Sequence, residues 1–230
     1  MPSADKDCNI TPMSPPVSEL ASRLEATYSG AIFDVLREMG FPNQALPPTL
    51  RPLQPEKKLA GPVFTVSGRM AEITEDESLL KWCDFLSQAP AGHVVVCQPN
   101  DSTVAHMGEL SAETLNFRGI RGYVVDGGCR DTRFILDLGF RVFCRYFTSS
   151  DIVGKWSIET LGEPIQIGGH TIHSGDYIMG DIDGLVLIPR AAAEECVERV
   201  EQVIQTENRV RKAILSGVDP KEAYVTYGRF

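Results

Sequence analysis

Tyr123-Val124-Val125-Asp126-Gly127-Gly128-Cys129-Arg130-Asp131-Thr132 is the stretch on which the reading of this chain turns. A short apolar run ends in an acid and two glycines, the pattern of a buried strand closed by a tight turn. Glycine has no Cβ, so the backbone there can approach a ligand closely. Arg130 carries a planar fork suited to a carboxylate. Asp131 offers oxygens to a hard divalent cation. Adjacent residues on a strand face opposite ways, but past the two glycines that constraint lapses and both side chains can serve one pocket. Together they suit a small oxo acid held beside a metal. A second reading stays open, because Asp131-Thr132 ahead of Phe134-Ile135-Leu136 is also a good helix N-cap.

Upstream, residues 106–117 read as a helix closed by Gly119, with Gly108-Glu109-Leu110 near its start. Free amides at a helix start form an anion site. If this helix runs antiparallel to strand 120–126, its start and the strand's end share one edge of the layer. Glu109 then either joins that site or only favours the helix dipole. Asp101 and His106 lie on or beside the loop leading in, each a candidate general base or a loop cap. Downstream, residues 190–216 read as one long helix with an apolar stripe of Cys196, Val200, Val203, Val210 and Ile214. Glu207 interrupts that stripe, and a carboxylate on a packing face needs a partner. Either Arg211, one turn on, supplies it, or Glu207 reaches a metal site in its own chain or a neighbour's.

The rest of the chain frames these segments. Residues 18–39 read as one or two short helices interrupted near Ser29-Gly30, and 43–56 as a loop. Strands are expected at 59–67, 92–98 and 140–147, and helices at 77–87 and 132–138. Strand and turn fill 158–190. Alternating strands and helices followed by strands predict a layered α/β domain. The expected organisation is a loose arm over 1–17, a single domain over 18–216, and an aromatic tail over 217–230 that packs elsewhere, between subunits for instance. The net charge of −9 disfavours nucleic acid as a partner. Six cysteines at 8, 83, 97, 129, 144 and 196, none in a C-x-x-C pair, point to reduced thiols in the cytoplasm. His170 and His173 share a turn-rich segment, a spacing that carries little weight as a metal pair without further ligands. The first residues lack the charged start and apolar core of a signal peptide, and no run is long enough to cross a membrane.

Glu109, twenty residues, then Arg130-Asp131 resembles the [D/E]-x20-R-D pattern of the RraA-like / 4-hydroxy-4-methyl-2-oxoglutarate aldolase family. Ser29-Gly-Ala-Ile-Phe-Asp-Val-Leu36, Leu59-Ala-Gly-Pro-Val-Phe-Thr-Val66 and Ser174-Gly-Asp-Tyr-Ile-Met-Gly-Asp-Ile-Asp-Gly-Leu-Val-Leu-Ile-Pro189 resemble its segments in the same order. Gly92-His93 departs from the Gly-Asp that members often carry there. The resemblance implies a swivelling β/β/α domain, trimers or hexamers with sites between subunits, and a class II aldolase using Mg²⁺ or Mn²⁺. Such an aldolase cleaves 4-hydroxy-2-oxo diacids to pyruvate and often decarboxylates oxaloacetate. Carried over, Arg130 binds the substrate carboxylate, Asp131 ligates the metal, and Glu109 holds a metal water. Backbone amides of Gly108, Glu109 and Leu110 contact substrate, and Glu207 of a neighbouring subunit completes the water shell. Cleavage needs an electron sink, either a lysine Schiff base or a Lewis-acid metal. None of the seven lysines lies in the segments around Glu109 or Arg130, which favours the metal. The family also implies two alternatives: a regulatory protein that inhibits a ribonuclease, and a lyase or decarboxylase acting on a sugar-acid derivative.

Overall fold

The computed structural model describes residues 19–228. The expected arm over 1–17 lies outside the described residues. Helices α1 (Glu19–Glu25) and α2 (Ser29–Glu38) lead to strands β1 (Arg51–Pro52) and β2 (Leu59–Met70), then α3 (Glu75–Gln88) and β3 (Val94–Gln98). Next come α4 (Glu109–Phe117), β4 (Gly122–Val125), β5 (Gly128–Cys129), α5 (Thr132–Leu138), β6 (Val142–Cys144) and β7 (Tyr146–Phe147). Strands β8 (Trp156–Leu161), β9 (Ile165–Ile167), β10 (His170–Ile172), β11 (Tyr177–Asp181) and β12 (Gly184–Ile188) follow, and α6 (Ala193–Leu215) and α7 (Pro220–Tyr227) close the described chain.

The main sheet runs β1-β6-β4-β3-β2-β11-β12, with β8 also on β2. Pairs β2/β3, β3/β4 and β4/β6 are parallel. The period-2 alternation of these strands sorts the core into two layers. Val95, Cys97, Tyr123 and Val125 face one cluster with α3, α4 and α5 residues such as Phe85, Leu115 and Ile135. Val94, Val96 and Val124 face another with Ile165, Ile167 and Ile172 of the β9–β10 hairpin. Helices α1, α2 and α6 pack with Met179, Val186 and Ile188 in a third cluster. This is the expected layered swivelling β/β/α arrangement. Strand β2 changes partner along its length. Leu59–Pro62 pairs β11, and residues 66–70 pair β8 across a register shift at Ser67/Gly68. A Cβ on Gly68 would stand 2.1 Å from the Trp156 ring, so the indole occupies the space a side chain would need.

Several boundaries differ from the expectation. The break between α1 and α2 falls at residues 26–28, and Ser29-Gly30 open the second helix rather than interrupt one. Buried Asp181 accepts from Ser29 N at 2.8 Å and Ser29 Oγ at 2.7 Å, so a distant carboxylate caps α2. The strand expected over 140–147 divides at Arg145, whose N–H donates to Gly127 O at 2.9 Å. The tail contains a helix, α7, capped by Asp219 on the amides of Lys221 and Glu222 with Pro220 in its first turn. The five described cysteines are free thiols, and all but Cys83 are buried. Burial pushes Cys97 and Cys196 up to about 12, which keeps both protonated and inert. Among the described residues, no helix is long and apolar enough to cross a membrane.

Candidate active site

Parallel strands open their carboxyl ends at one edge of a sheet, where ligands of α/β folds gather. The chain leaving β3 carries Asp101 and His106, the chain leaving β4 carries Arg130 and Asp131, and the chain leaving β6 and β7 carries Asp151. Residues 106–108, expected as the first turn of a 106–117 helix, are not helical. Their backbone pairs with 128–130 instead: His106 N donates to Gly128 O and Arg130 N to Met107 O, each at 2.9 Å. Helix α4 therefore starts at Glu109, with Gly108 as its extended N-cap. That pairing lays the α4 N-terminus directly over Arg130-Asp131.

The two glycines of the central stretch make room for the protein's own atoms. A Cβ on Gly127 would meet His106 Nδ1 at 2.7 Å, and one on Gly128 would meet the Tyr146 ring at 2.5 Å. The glycine that faces the site is Gly108, whose Cβ would stand 2.8 Å from Asp131 Oδ2 and 3.3 Å from Arg130 Nε.

Asp131 is left-handed (φ 53°, ψ 32°), uncommon for a non-glycine residue and tolerated best by Asp and Asn. By position it is the N-cap of α5, yet its side chain makes no cap bond to that helix. The carboxylate turns to the other helix, where Oδ2 accepts from Glu109 N at 3.2 Å and lies 3.4 Å from Arg130 Nε. Arg130 Nη1 donates to Asp151 Oδ2 at 3.0 Å. Asp151 is fixed in turn by Val153 N on its Oδ1 at 3.2 Å. The guanidinium thus lies between two carboxylates, and all three side chains are about one-third exposed.

These residues line a cleft of about 370 Å³ together with Gly108, Glu109, Leu110 and an apolar wall from α3. The predicted Arg130, Asp131, Glu109, Gly108 and Leu110 are brought together in it. Sequence reasoning missed Asp151, which closes the ordinary-looking polar run Thr148-Ser149-Ser150-Asp151. Its position after the last parallel strand was the available signal. Glu207 does not line this cleft within the protomer. It lines a separate groove with Val210, Arg211, Ile214 and Leu215. There it accepts from the Tyr28 hydroxyl, while Arg211 Nη1 donates to Asn208 at 2.6 Å.

Of the two base candidates, His106 is among the residues lining the cleft and Asp101 is not. The His106 side chain is fully buried, packs edge-on against Trp156 and lies 3.4 Å from Asp101. Burial depresses its pKa to about 4, with Asp101 pulling the other way. Asp101 caps the loop by accepting from Thr103 N and Oγ1 and from Val104 N. Burial alone would raise its pKa; those bonds outweigh it and hold the carboxyl low. A histidine whose folded pKa lies below the unfolded value binds its proton more readily when unfolded. Stability should therefore fall as pH drops from about 6.5 toward about 4, by at most about 3 kcal/mol. Denaturant titrations of wild type and His106→Asn across that window check it: the variant should lose most of the slope.

Among the described residues no cluster of three or more His, Cys, Asp or Glu forms a protein cage for a metal. The cleft offers a sparser donor set, the Asp131 carboxylate with Glu109 beside it. Asp131 Oδ1 has no protein partner among the described residues, since the bonds described above engage Oδ2. One or two carboxylates plus water suit Mg²⁺ or Mn²⁺.

Known proteins share this arrangement of strands and helices. A family profile described as RraA-like, Aldolase/RraA, matches residues 29–187. A Halalkalibacterium halodurans protein named "Putative 4-hydroxy-4-methyl-2-oxoglutarate aldolase" is 29% identical over 177 residues, 77% of this chain and 81% of its own. Streptomyces coelicolor RraAS2, described as an unusual member of the RNase ES inhibitor RraA family, superposes with a TM-score of 0.75 at 26% identity, over 87% of this chain and 99% of its own. A structure described as that of novel cellulases from gut-associated microbes gives 0.78 at 33% identity, over 90% of each chain. With a profile match across well over half of its residues and this shared fold, the chain belongs to the RraA-like family.

Proposed function

We propose that this protein is a divalent-metal-dependent aldolase that cleaves 4-hydroxy-2-oxo diacids to pyruvate. The observation that carries the reading is the convergence of Arg130 and Asp131 in one cleft beneath the α4 N-terminus. The relatives' name supplies 4-hydroxy-4-methyl-2-oxoglutarate as the reference substrate. Breaking the C3–C4 bond of such an acid leaves an electron pair on the carbon beside a ketone. Among the described residues no lysine lines the cleft to take that pair through an imine. A bound Mg²⁺ or Mn²⁺ would act as the Lewis acid that draws charge onto the keto oxygen. Asp131 would hold it directly and Glu109 through water, with Glu207 of a neighbouring subunit adding to the water shell in a trimer or hexamer.

The chain's own groups orient the substrate. Arg130 has Nη2 uncommitted to protein among the described residues and presents it to the substrate carboxylate, while Asp131 and Asp151 hold the guanidinium in place. First-turn amides of α4 have no intrahelical acceptor and favour negative charge at Gly108 to Leu110. The same site can decarboxylate oxaloacetate, because loss of CO₂ leaves the same electron pair on the same carbon.

Pyruvate release from 4-hydroxy-4-methyl-2-oxoglutarate, measured with a coupled dehydrogenase, tests the reading. Turnover should require added Mg²⁺ or Mn²⁺ and vanish with EDTA. Activity that survives chelation removes the metal from the account. Absence of turnover on any oxo acid, with retention of a ribonuclease on the immobilised protein, would favour the regulatory alternative that the RraAS2 description suggests.

A further inference from the structure

Within the aldolase reading, on which this inference rests, we propose that Asp101 and His106 are positioning residues that set the aim of Arg130 and Asp131. His106 stands where the two segments that build the site meet. One segment runs through Met107 and Gly108 to the Glu109 amide; the other runs through Gly127 and Gly128 to Arg130-Asp131. The backbone of His106 ties them together: its N–H donates to Gly128 O at 2.9 Å, and its carbonyl accepts from the Tyr123 hydroxyl at 3.1 Å. The imidazole fills the space beside the turn, where a Cβ on Gly127 would stand 2.7 Å from Nδ1 and 3.1 Å from Cε1. The Trp156 ring packs edge-on against it with centroids 5.1 Å apart, and the indole N–H is itself fixed on Pro99 O at 2.7 Å. Asp101 Oδ2 stands 3.4 Å from Nε2.

Although His106 lines the cleft, both ring nitrogens are buried, and neither has a hydrogen-bond partner among the described residues. Enclosed nitrogens do not reach substrate, so the ring acts through the turn and not on the reacting atoms. Packing by itself would be served at lower cost by an apolar ring, because a buried polar atom without a partner is destabilising. The Asp101 carboxylate accounts for the polar one. It is 4% exposed and pinned by Thr103 N, Thr103 Oγ1 and Val104 N, so it holds a fixed charge against Nε2. The chain leaving β3 thus braces the turn leaving β4 through one imidazole. The spacing matters because Asp131 Oδ2 meets Glu109 N at 3.2 Å across the two segments. A shift of about 1 Å between them would part the α4 amides from Arg130-Asp131, a misplacement of the size that costs about 10²-fold in rate.

Pyruvate release and Mg²⁺ calorimetry on the full chain test the pair. His106→Ala empties the space beside Gly127, and kcat should fall roughly 10²-fold while KM changes little. Mg²⁺ affinity should fall about 10-fold, the effect of losing a support behind a metal ligand. Added imidazole should recover much of both losses. Ile167→Ala is the control for lost packing alone: it hollows a different core cluster and should keep wild-type kcat and metal affinity. Should His106→Ala fail to fold, Asp101→Asn decides. Its amide oxygen still accepts from Thr103 N and Val104 N, the charge facing Nε2 is lost, and kcat should fall about 10-fold with little change in melting temperature. Wild-type kcat and Mg²⁺ affinity in either variant once folded, or an equal loss in Ile167→Ala, overturns the pair and leaves the aldolase reading intact. Reduced Mg²⁺ affinity in the variants, with no turnover even by wild type, keeps the pair and sinks the aldolase. A wild type that neither binds Mg²⁺ nor turns over any oxo acid sinks both.

Discussion

Arg130→Ala is expected to lower kcat/KM for pyruvate release by roughly 10²- to 10³-fold, the loss typical when a preorganised donor to developing or fixed negative charge is removed. The guanidinium is the sole cation lining the cleft among the described residues, so nothing nearby can replace it. Its removal also leaves Asp131 and Asp151 without the cation that now lies between them. The fold should survive. The side chain is about one-third exposed, and ion pairs at that exposure contribute about 1 kcal/mol or less. The melting temperature should therefore move by only a few degrees while activity collapses. Arg130→Lys sharpens the result, because lysine restores the charge but not the planar fork. It should remain well below wild type. Wild-type turnover in Arg130→Ala, with the fold confirmed by circular dichroism, would remove Arg130 from the site.

Asp131→Asn should be as damaging, for a reason the backbone makes easy to isolate. Asparagine tolerates the left-handed conformation nearly as well as aspartate, and its amide oxygen can still accept from Glu109 N. The substitution thus changes charge and little else. A loss of about 10²-fold or more in kcat/KM is expected, together with loss of the calorimetric signal for Mg²⁺ or Mn²⁺. Asp131→Ala adds about 1 kcal/mol of backbone strain to the same functional loss, so its stability should fall further than that of the asparagine variant. Should Asp131→Asn bind cation and turn over substrate at the wild-type rate, the carboxylate is a structural cap of α4 and no more.

The contrast between Asp131 and Asp151 shows how far local pattern reaches. Asp131 was legible because it directly follows a strand, two glycines and an arginine. The two uses foreseen for it, cap or ligand, are partly reconciled: it caps, but it caps the preceding helix through Glu109 N rather than its own. Asp151 was not legible, because it stands 21 residues beyond Arg130 in a turn that resembles any other polar turn. The start of α4 was misplaced by three residues for a related reason. The apolar and polar pattern of 106–108 permits helix, and only the pairing of the backbone there with 128–130 forbids it. Glu207 was legible as an anomaly on an apolar stripe, and the Tyr28 hydroxyl that meets it comes from the other end of the chain.

From sequence alone came the alternation of β3 and β4, the strand–turn–Arg-Asp unit, the layered class and the family. All of these are local or ordered along the chain, and side-chain period and turn chemistry encode them. Three things waited for the tertiary structure: the Arg130–Asp151 pair, the placing of the α4 N-terminus over Asp131, and the apolar wall that α3 lends to the cleft. Each depends on which strands lie side by side. The order β6-β4-β3 brings together three loops distant in sequence, and that order is chosen by the burial of whole layers, not by any segment read by itself.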